Sequence, residues 1–312
     1  MEDRKVVVLL STYNGEKYLE EQLDSILQQN VDNVEIIIRD DGSKDNTVNI
    51  LEKYRKNYPQ KIKKIIKGKN IGVIKSFFYL VEYVTLDYDC YMFCDQDDYW
   101  CNEKIKRVLK IFDECKEEKK GYFSNLFLVN ENLEIIKKRY HKKLLPSLRN
   151  CFFENIVTGC TYAANKEMFK EIQQDYLKIK NELNFLPMHD RHFYFLTCHK
   201  GKLIYDTESF IYYRQHGNNV VGMEKNKVKA FTKRIVDILK RKSDNKRIKY
   251  LKFIEKNYKN ELSDVEKRFL EQLLRNYNNF FKRIIFIVFN KFTRQNKYDE
   301  YFSKIAYLIG KF

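Results

Sequence analysis

DCYMFCDQDDYW, residues 89–100, is the stretch on which the reading of this chain turns: a short apolar run stops at three carboxylates and an aromatic pair. Tyr91, Met92 and Phe93 have the pattern of a buried strand, because an apolar run of about four to eight residues closed by polar residues marks such strands. Asp95, Asp97 and Asp98 then fall at its carboxyl end. In open α/β sheets ligands bind at that edge, where loops converge while the strands hold still. Carboxylates so close together raise one another's pKa and are relieved by a cation. Hard divalent ions such as Mg²⁺ or Mn²⁺, which take oxygen ligands and substrate phosphates, meet that need. A solvated acidic turn is the competing account, and the stretch alone does not choose between them.

Upstream, KVVVLLS (5–11) reads as a strand buried on both faces and therefore parallel to its neighbours. It ends in Ser11, Thr12, Tyr13, Asn14 and Gly15, and apolar residues at helical spacing follow from Tyr18 to Leu27. A second strand over 34–38 ends in Arg39, Asp40, Asp41 and Gly42, with Ser43 as the expected N-cap of a helix over 44–57. A weaker strand over 62–66 and a helix over 70–84 precede the acidic strand. This alternation predicts a parallel sheet with helices on its faces. Ser11 to Tyr13 and Asp40 to Asp41 then share the sheet edge that carries the carboxylates. A ring beside a carboxylate suits a nucleobase, which needs a stacking face and an acceptor for its N–H. For Asp40, Asp41 and Gly42 an ordinary turn is the rival account. No GxGxxG follows the first strand and no GxxxxGK[ST] occurs, which disfavours dinucleotide and P-loop sites.

Downstream, Asn102 is expected to cap a helix reaching to about Lys119, followed by strands over 121–129 and 156–164 and helices over 166–176 and 187–198. Seven Cys without a CxxC pair argue for reduced thiols rather than a disulfide framework or a zinc site. No apolar run approaches the roughly 18–20 residues of a membrane span, and the start has no signal-like segment, so a cytoplasmic chain is expected.

Residues 223–312 carry 24 Lys and Arg against 10 Asp and Glu, so nearly all of the net charge of +16 lies there. No recognition motif accompanies the charge, which disfavours nucleic acid. Ser263 and Glu266 form a capping box, and Val265, Phe269, Leu270, Leu273, Tyr277, Phe280, Phe281 and Ile284 trace one helical face. That face fits packing against the rest of the chain or in a homodimer. FFKRIIFIVFNKF (280–292) also interleaves aromatics and cations in the manner of a segment lying on an anionic membrane, which would make the chain peripheral on the inner face of the plasma membrane.

STYNGEKYLEEQLDSILQQ (11–29), IIIRDDGSKDNT (36–47), NIGVIKSF (70–77) and FCDQDDYW (93–100), in this order and spacing, resemble the family 2 glycosyltransferases of the GT-A fold. TGCTYAAN (158–165), MHDRHF (188–193) and IYYRQHGNNVVG (211–222) look like the branch of rhamnosyltransferases that build surface polysaccharides. The resemblance implies an α/β fold, a Rossmann-like mixed sheet flanked by helices. It divides the chain into a catalytic domain over 1–222 and a basic helical region over 223–312.

Residue by residue, it implies that Ser11, Thr12, Tyr13 and Asp41 hold the nucleotide base and that Asp97 meets the ribose or sugar. It assigns a Mg²⁺ or Mn²⁺ ion to Asp98 with Asp95 in support, and the catalytic base to Asp190. Arg214 and His216 are candidates to stabilise the departing diphosphate. Trp100 is readable as a sugar platform or as core, Gly159 as clearance for the acceptor or a plain turn, and Asp190 equally as a salt-bridged helix N-terminal residue. The implied reaction moves L-rhamnose from dTDP-rhamnose to a polysaccharide or lipid-linked acceptor. Another UDP- or dTDP-sugar (glucose, galactose or GlcNAc) is the nearest alternative. A nucleotide-sugar-binding subunit that tethers a partner enzyme without catalysis is a second.

Overall fold

The computed structural model describes residues 4–215, 236 and 246–312. In chain order the first half holds β1 (Val6–Thr12), α1 (Leu19–Leu27), β2 (Val34–Asp40), α2 (Thr47–Asn57), β3 (Ile62–Lys67), α3 (Val73–Tyr83) and β4 (Cys90–Cys94). Then come β5 (Tyr99–Trp100), α4 (Lys104–Glu114), β6 (Lys120–Val129), β7 (Ile135–Lys138), α5 (Leu148–Phe153), β8 (Ala163–Asn165), α6 (Lys166–Ile179), α7 (His189–Lys200) and β9 (Lys202–Arg214). The last described helices are α8 (Lys246–Tyr258), α9 (Asp264–Tyr277), α10 (Phe280–Phe289) and α11 (Lys297–Leu308). The described residues gather into two compact units, one from 4–144, 157–183 and 188–215, the other from 145–156, 184–187 and 246–312.

The first unit is built on a sheet of order β3-β2-β1-β4-β8-β6-β9-β5, with β7 added to β6. β3, β2, β1 and β4 run parallel, as their unbroken apolar runs predict. β8 pairs antiparallel with β4, so the direction reverses there and the sheet is mixed. β1 and β4 lie side by side with residues 6–10 and 90–94 fully buried, which brings Thr12 and Cys94 to one edge. Burying each such Val, Leu or Phe contributes about 1.5–3 kcal/mol, so this pair anchors the edge on which the loops stand.

Local signals explain where the helices differ from expectation. Ser43 does not cap α2; its hydroxyl and N–H both go to Asp40, and the helix opens later, from Asn46. α4 likewise opens after Glu103 rather than after Asn102 and stops at Glu114, with Cys115 already extended. Asp40 also accepts from the Gly42 N–H at 3.1 Å and from the Thr12 hydroxyl at 3.1 Å, so it organises the turn rather than facing a ligand. Gly42 sits at φ 83°, where an added Cβ would meet the Asn70 N–H nitrogen at 2.9 Å. Only glycine takes that turn without strain.

The second unit centres on rings: Phe153 lies 4.6 Å from Phe292 and 5.9 Å from both Phe269 and Phe312, and Phe286 lies 5.3 Å from Tyr307, between centroids. Ser263 caps α9 as the capping box predicts. The single apolar face expected from Val265 to Ile284 is broken into two helices at Asn278 and Asn279, because the Asn279 side chain accepts from the Lys282 N–H and starts α10 afresh. Phe269, Leu270 and Leu273 are buried, whereas Val265, Phe280, Phe281 and Ile284 are exposed. Among the described residues no helix is long and apolar enough to cross a membrane.

Candidate active site

Three strand ends converge at the carboxyl edge of the sheet. After β1, the Tyr13 N–H donates to Gln96 Oε1 at 2.7 Å and Gln96 Nε2 donates back to the Tyr13 carbonyl at 3.0 Å. This exchange fastens the β1 loop to the acidic loop and leaves the Tyr13 ring 43% exposed, an open stacking face. Ser11 pairs with Ser76 through their hydroxyls at 2.6 Å, and Thr12 is spent on Asp40.

Asp41, after β2, is buried against the Arg39 guanidinium at 2.5 Å and accepts from the Ile71 and Gly72 N–H groups, each at 2.8 Å. Arg39 Nη1 also reaches Ser76 at 2.9 Å and Nη2 the Lys69 carbonyl at 3.1 Å. Asp41 is thus held in place by a buried cation and two backbone donors.

The acidic loop after β4 holds Asp98 out of water, with Asp95 and Asp97 half-buried beside it. Asp98 is 1% exposed, and its Oδ1 accepts from the Arg214 N–H at 3.3 Å while Oδ2 is buried without a hydrogen-bond partner. Burial first, then the Asp97 and Asp95 charges, push the Asp98 carboxyl well above the usual range, against a smaller lowering from the Cys160 thiol and the Arg214 N–H. Burial, then Asp97 and Asp190, push Asp95 up to about 7. Ligand atoms of Asp95, Asp98 and Cys160 all lie within 4.8 Å of one another. A buried carboxylate with an orphaned oxygen and a half-buried one beside it in so small a space fit a divalent cation.

The remaining groups come from a turn and a helix later in the chain. Asp190 lies in the first turn of α7, 8% exposed, and its charge acts on Asp95. Gly159 lies against that turn, where a Cβ would meet His189 Nε2 at 2.7 Å and Asp190 Cβ at 3.8 Å. His189 is packed at 4.1 Å on Phe77, and burial drives its imidazole down to about 3, so it is neutral. His192 pairs with Asp175 at 2.7 Å inside the protein.

Of the two accounts of Trp100 the core holds, and the expectation for Arg214 is corrected. Trp100 is fully buried in the core, with the Lys104 ammonium 3.2 Å from its ring centroid, so it offers no platform at the surface. Arg214 is 1% exposed and committed to protein: Nε donates to the Asp97 carbonyl at 3.1 Å, the other nitrogens reach Glu131 and Glu21, and the guanidinium lies 4.4 Å over the Tyr18 ring. It shapes the acidic loop from behind. His216 lies outside the described residues.

The edge therefore gathers Ser11, Tyr13, Asp41, Asp95, Asp97, Asp98, Gly159 and Asp190. Sequence reasoning missed Gln96, Arg39, Cys160 and Lys104. Arg39 carried a signal, a cation inside an apolar strand next to two carboxylates; Gln96 and Cys160 owe their places to contacts more than 50 residues away in sequence, and Lys104 is buried over the ring of nearby Trp100.

Residues 7–179 match the model of Glycosyl transferase family 2. The chain is similar to the dTDP-rhamnosyl transferase RfbG of Shigella flexneri, 34% identical over 222 residues, covering 68% of this chain and 73% of that protein. Among solved structures it resembles S. aureus TarS 1-349 in complex with UDP-GlcNAc, at 17% identity and TM-score 0.54, over 98% of this chain and 90% of the other. The mannosyltransferase PcManGT from Pyrobaculum calidifontis, in complex with GDP-Man and Mn²⁺, matches at 14% identity and TM-score 0.53, over 99% and 86%. Both likenesses bear on the fold.

Proposed function

This chain belongs to glycosyl transferase family 2, and from that premise we propose that it is an inverting, metal-dependent enzyme carrying L-rhamnose from dTDP-rhamnose to a hydroxyl of a growing cell-surface polysaccharide. The observation that carries the reading is the convergence of Asp95 and Asp98 of the acidic loop with Asp190 from the start of α7, close enough for the Asp190 charge to act on Asp95. The choice of donor is supported by the likeness to a dTDP-rhamnosyl transferase.

The Tyr13 ring supplies a stacking face for the base. Asp41 has two oxygens with room for about four hydrogen bonds, of which three are filled, and the remaining acceptor site suits a pyrimidine N–H. Asp97 is suited to the ribose or sugar. Asp98 and Asp95 would hold Mg²⁺ or Mn²⁺, which when bound offsets the negative charge of the departing diphosphate. Asp190 takes the proton of the acceptor hydroxyl as that oxygen bonds to the anomeric carbon and the bond to phosphate breaks. A single displacement inverts the centre, so a β-linked donor gives an α-glycoside. At Gly159 a side chain would run into His189, so the glycine lets this turn lie against the start of α7 that carries Asp190.

A lipid-linked acceptor fits the tail. α10 exposes Phe281, Ile285, Val288 and Phe289 beside Lys282 and Lys291, a surface suited to an anionic leaflet.

The test is a panel of nucleotide sugars incubated with the purified protein, Mg²⁺ or Mn²⁺ and rhamnan-type acceptors, with nucleoside diphosphate release and product followed together. Turnover restricted to dTDP-rhamnose supports the reading. Turnover with another sugar alone replaces the donor, and none with any donor overturns the catalytic role.

A further inference from the structure

Resting on the reading that Asp98 and Asp95 hold a divalent ion, we propose that Cys160 is the third protein donor, which makes the site a mixed oxygen and sulfur one that takes Co²⁺, Zn²⁺ or Cd²⁺ ahead of Mg²⁺. The geometry is direct. The Cys160 sulfur and one oxygen from each carboxylate lie within 4.8 Å of one another, and Asp98 Oδ2 is a buried acceptor with no partner. A carboxylate 99% withdrawn from solvent with one oxygen unsatisfied is costly unless something else engages it.

The sulfur is held by rigid backbone. Cys160 is fully buried in a 3₁₀ turn, Gly159–Thr161, closed by the Thr161 N–H on the Thr158 carbonyl at 2.9 Å and the Tyr162 N–H on the Gly159 carbonyl at 3.0 Å. That turn leads straight into β8, which pairs with β4, so the thiol and the acidic loop are fixed to adjacent strands. Beneath them lies Lys104, 1% exposed, its Nζ without a hydrogen-bond partner and its charge acting on Cys160 and Asp98. A buried ammonium there offsets the extra negative charge that a thiolate brings. On binding, the ion takes the sulfur lone pair and the thiol proton leaves to solvent. Thiolate is a soft ligand that Mg²⁺ does not favour, whereas the later divalent ions accept it.

Co²⁺ alone, titrated into the full chain with Cys101, Cys115 and Cys198 replaced by Ser, tests this. The expected result is visible d–d absorption together with a near-ultraviolet thiolate-to-cobalt charge-transfer band. Cys160→Ser should abolish the charge-transfer band, keep the d–d bands, and weaken Cd²⁺ binding about tenfold or more while changing Mg²⁺ binding little; Cys94→Ser should change neither. Cobalt bound with d–d bands but no charge-transfer band in the parent protein, or a band that survives Cys160→Ser, overturns the thiol ligand and leaves the carboxylate site standing. No cobalt bound at all overturns both. The parent spectrum needs no substitution at Cys160, so a folding defect in that variant does not blunt the test.

Discussion

Gln96 and Tyr13 bond to each other as two strands would, the side-chain amide of one exchanging both a donor and an acceptor with the backbone of the other at 2.7 and 3.0 Å. The loop that carries the exposed Tyr13 ring is thereby tied to the loop that carries the carboxylates. Gln96→Ala should cost about 1–2 kcal/mol of stability and raise the KM for the nucleotide sugar several-fold. Gln96→Glu, which keeps the acceptor, should fall between. Steady-state kinetics with thermal melts checks this; an unchanged KM in Gln96→Ala would show that the loops are held by other means.

Arg39 is the only cation among the described residues that pairs with Asp41, and both side chains are buried. Removing it leaves a charge without compensation. Arg39→Ala should destabilise the protein by about 3–5 kcal/mol, read from denaturant unfolding.

Asp190→Asn keeps the shape of the side chain and removes its ability to take a proton. Transfer should slow by about 10²–10⁴-fold, with nucleotide affinity by calorimetry unchanged. Asp98→Asn should also abolish transfer, yet its melting temperature without metal should stay level or rise, because the native fold already disfavours the Asp98 charge. A matching loss of stability in Asp98→Asn would contradict that account.

For Asp95 the folded value is about 7 against an ordinary 3.8, so between those values the native chain keeps a proton that the unfolded chain has lost. Stability from this group is therefore complete below 3.8 and lost as pH rises through about 7. In chelator, Asp95→Asn should match the parent near the acidic end of that window and melt higher than it above the window. A gap that does not change with pH would refute the assignment.

Phe281→Ser with Val288→Ser should lower flotation with anionic liposomes while sparing transfer to a soluble acceptor, since both side chains face solvent. Unchanged flotation would leave the α10 face to a second copy of the chain, which light scattering would reveal.

The parallel half of the sheet was legible because continuous apolar runs from Val6 to Leu10 and from Cys90 to Cys94 leave few alternatives. Local order was harder. The Asp40 side chain outcompetes α2 for Ser43, and an asparagine pair divides what periodicity alone reads as one helical face. The carboxylates announced themselves through their spacing, and the mixed sheet followed the family resemblance. What stayed hidden was the set of partners supplied across the fold. Nothing in a lone glutamine between aspartates, or in an arginine after two tyrosines, says which backbone it will grasp. Trp100 went into the core over Lys104 of the helix that follows, a local pairing that its place beside the carboxylates disguised.

Arg214 touches Tyr18, Glu21, Asp97, Asp98 and Glu131, yet it is the final residue of the last strand in its unit. As the chain leaves the ribosome, every acidic side chain of the loop is made long before the arginine that backs it. A nascent chain short of residue 214 carries its carboxylates on a loop that still lacks the Arg214 donors to Asp97 and Asp98.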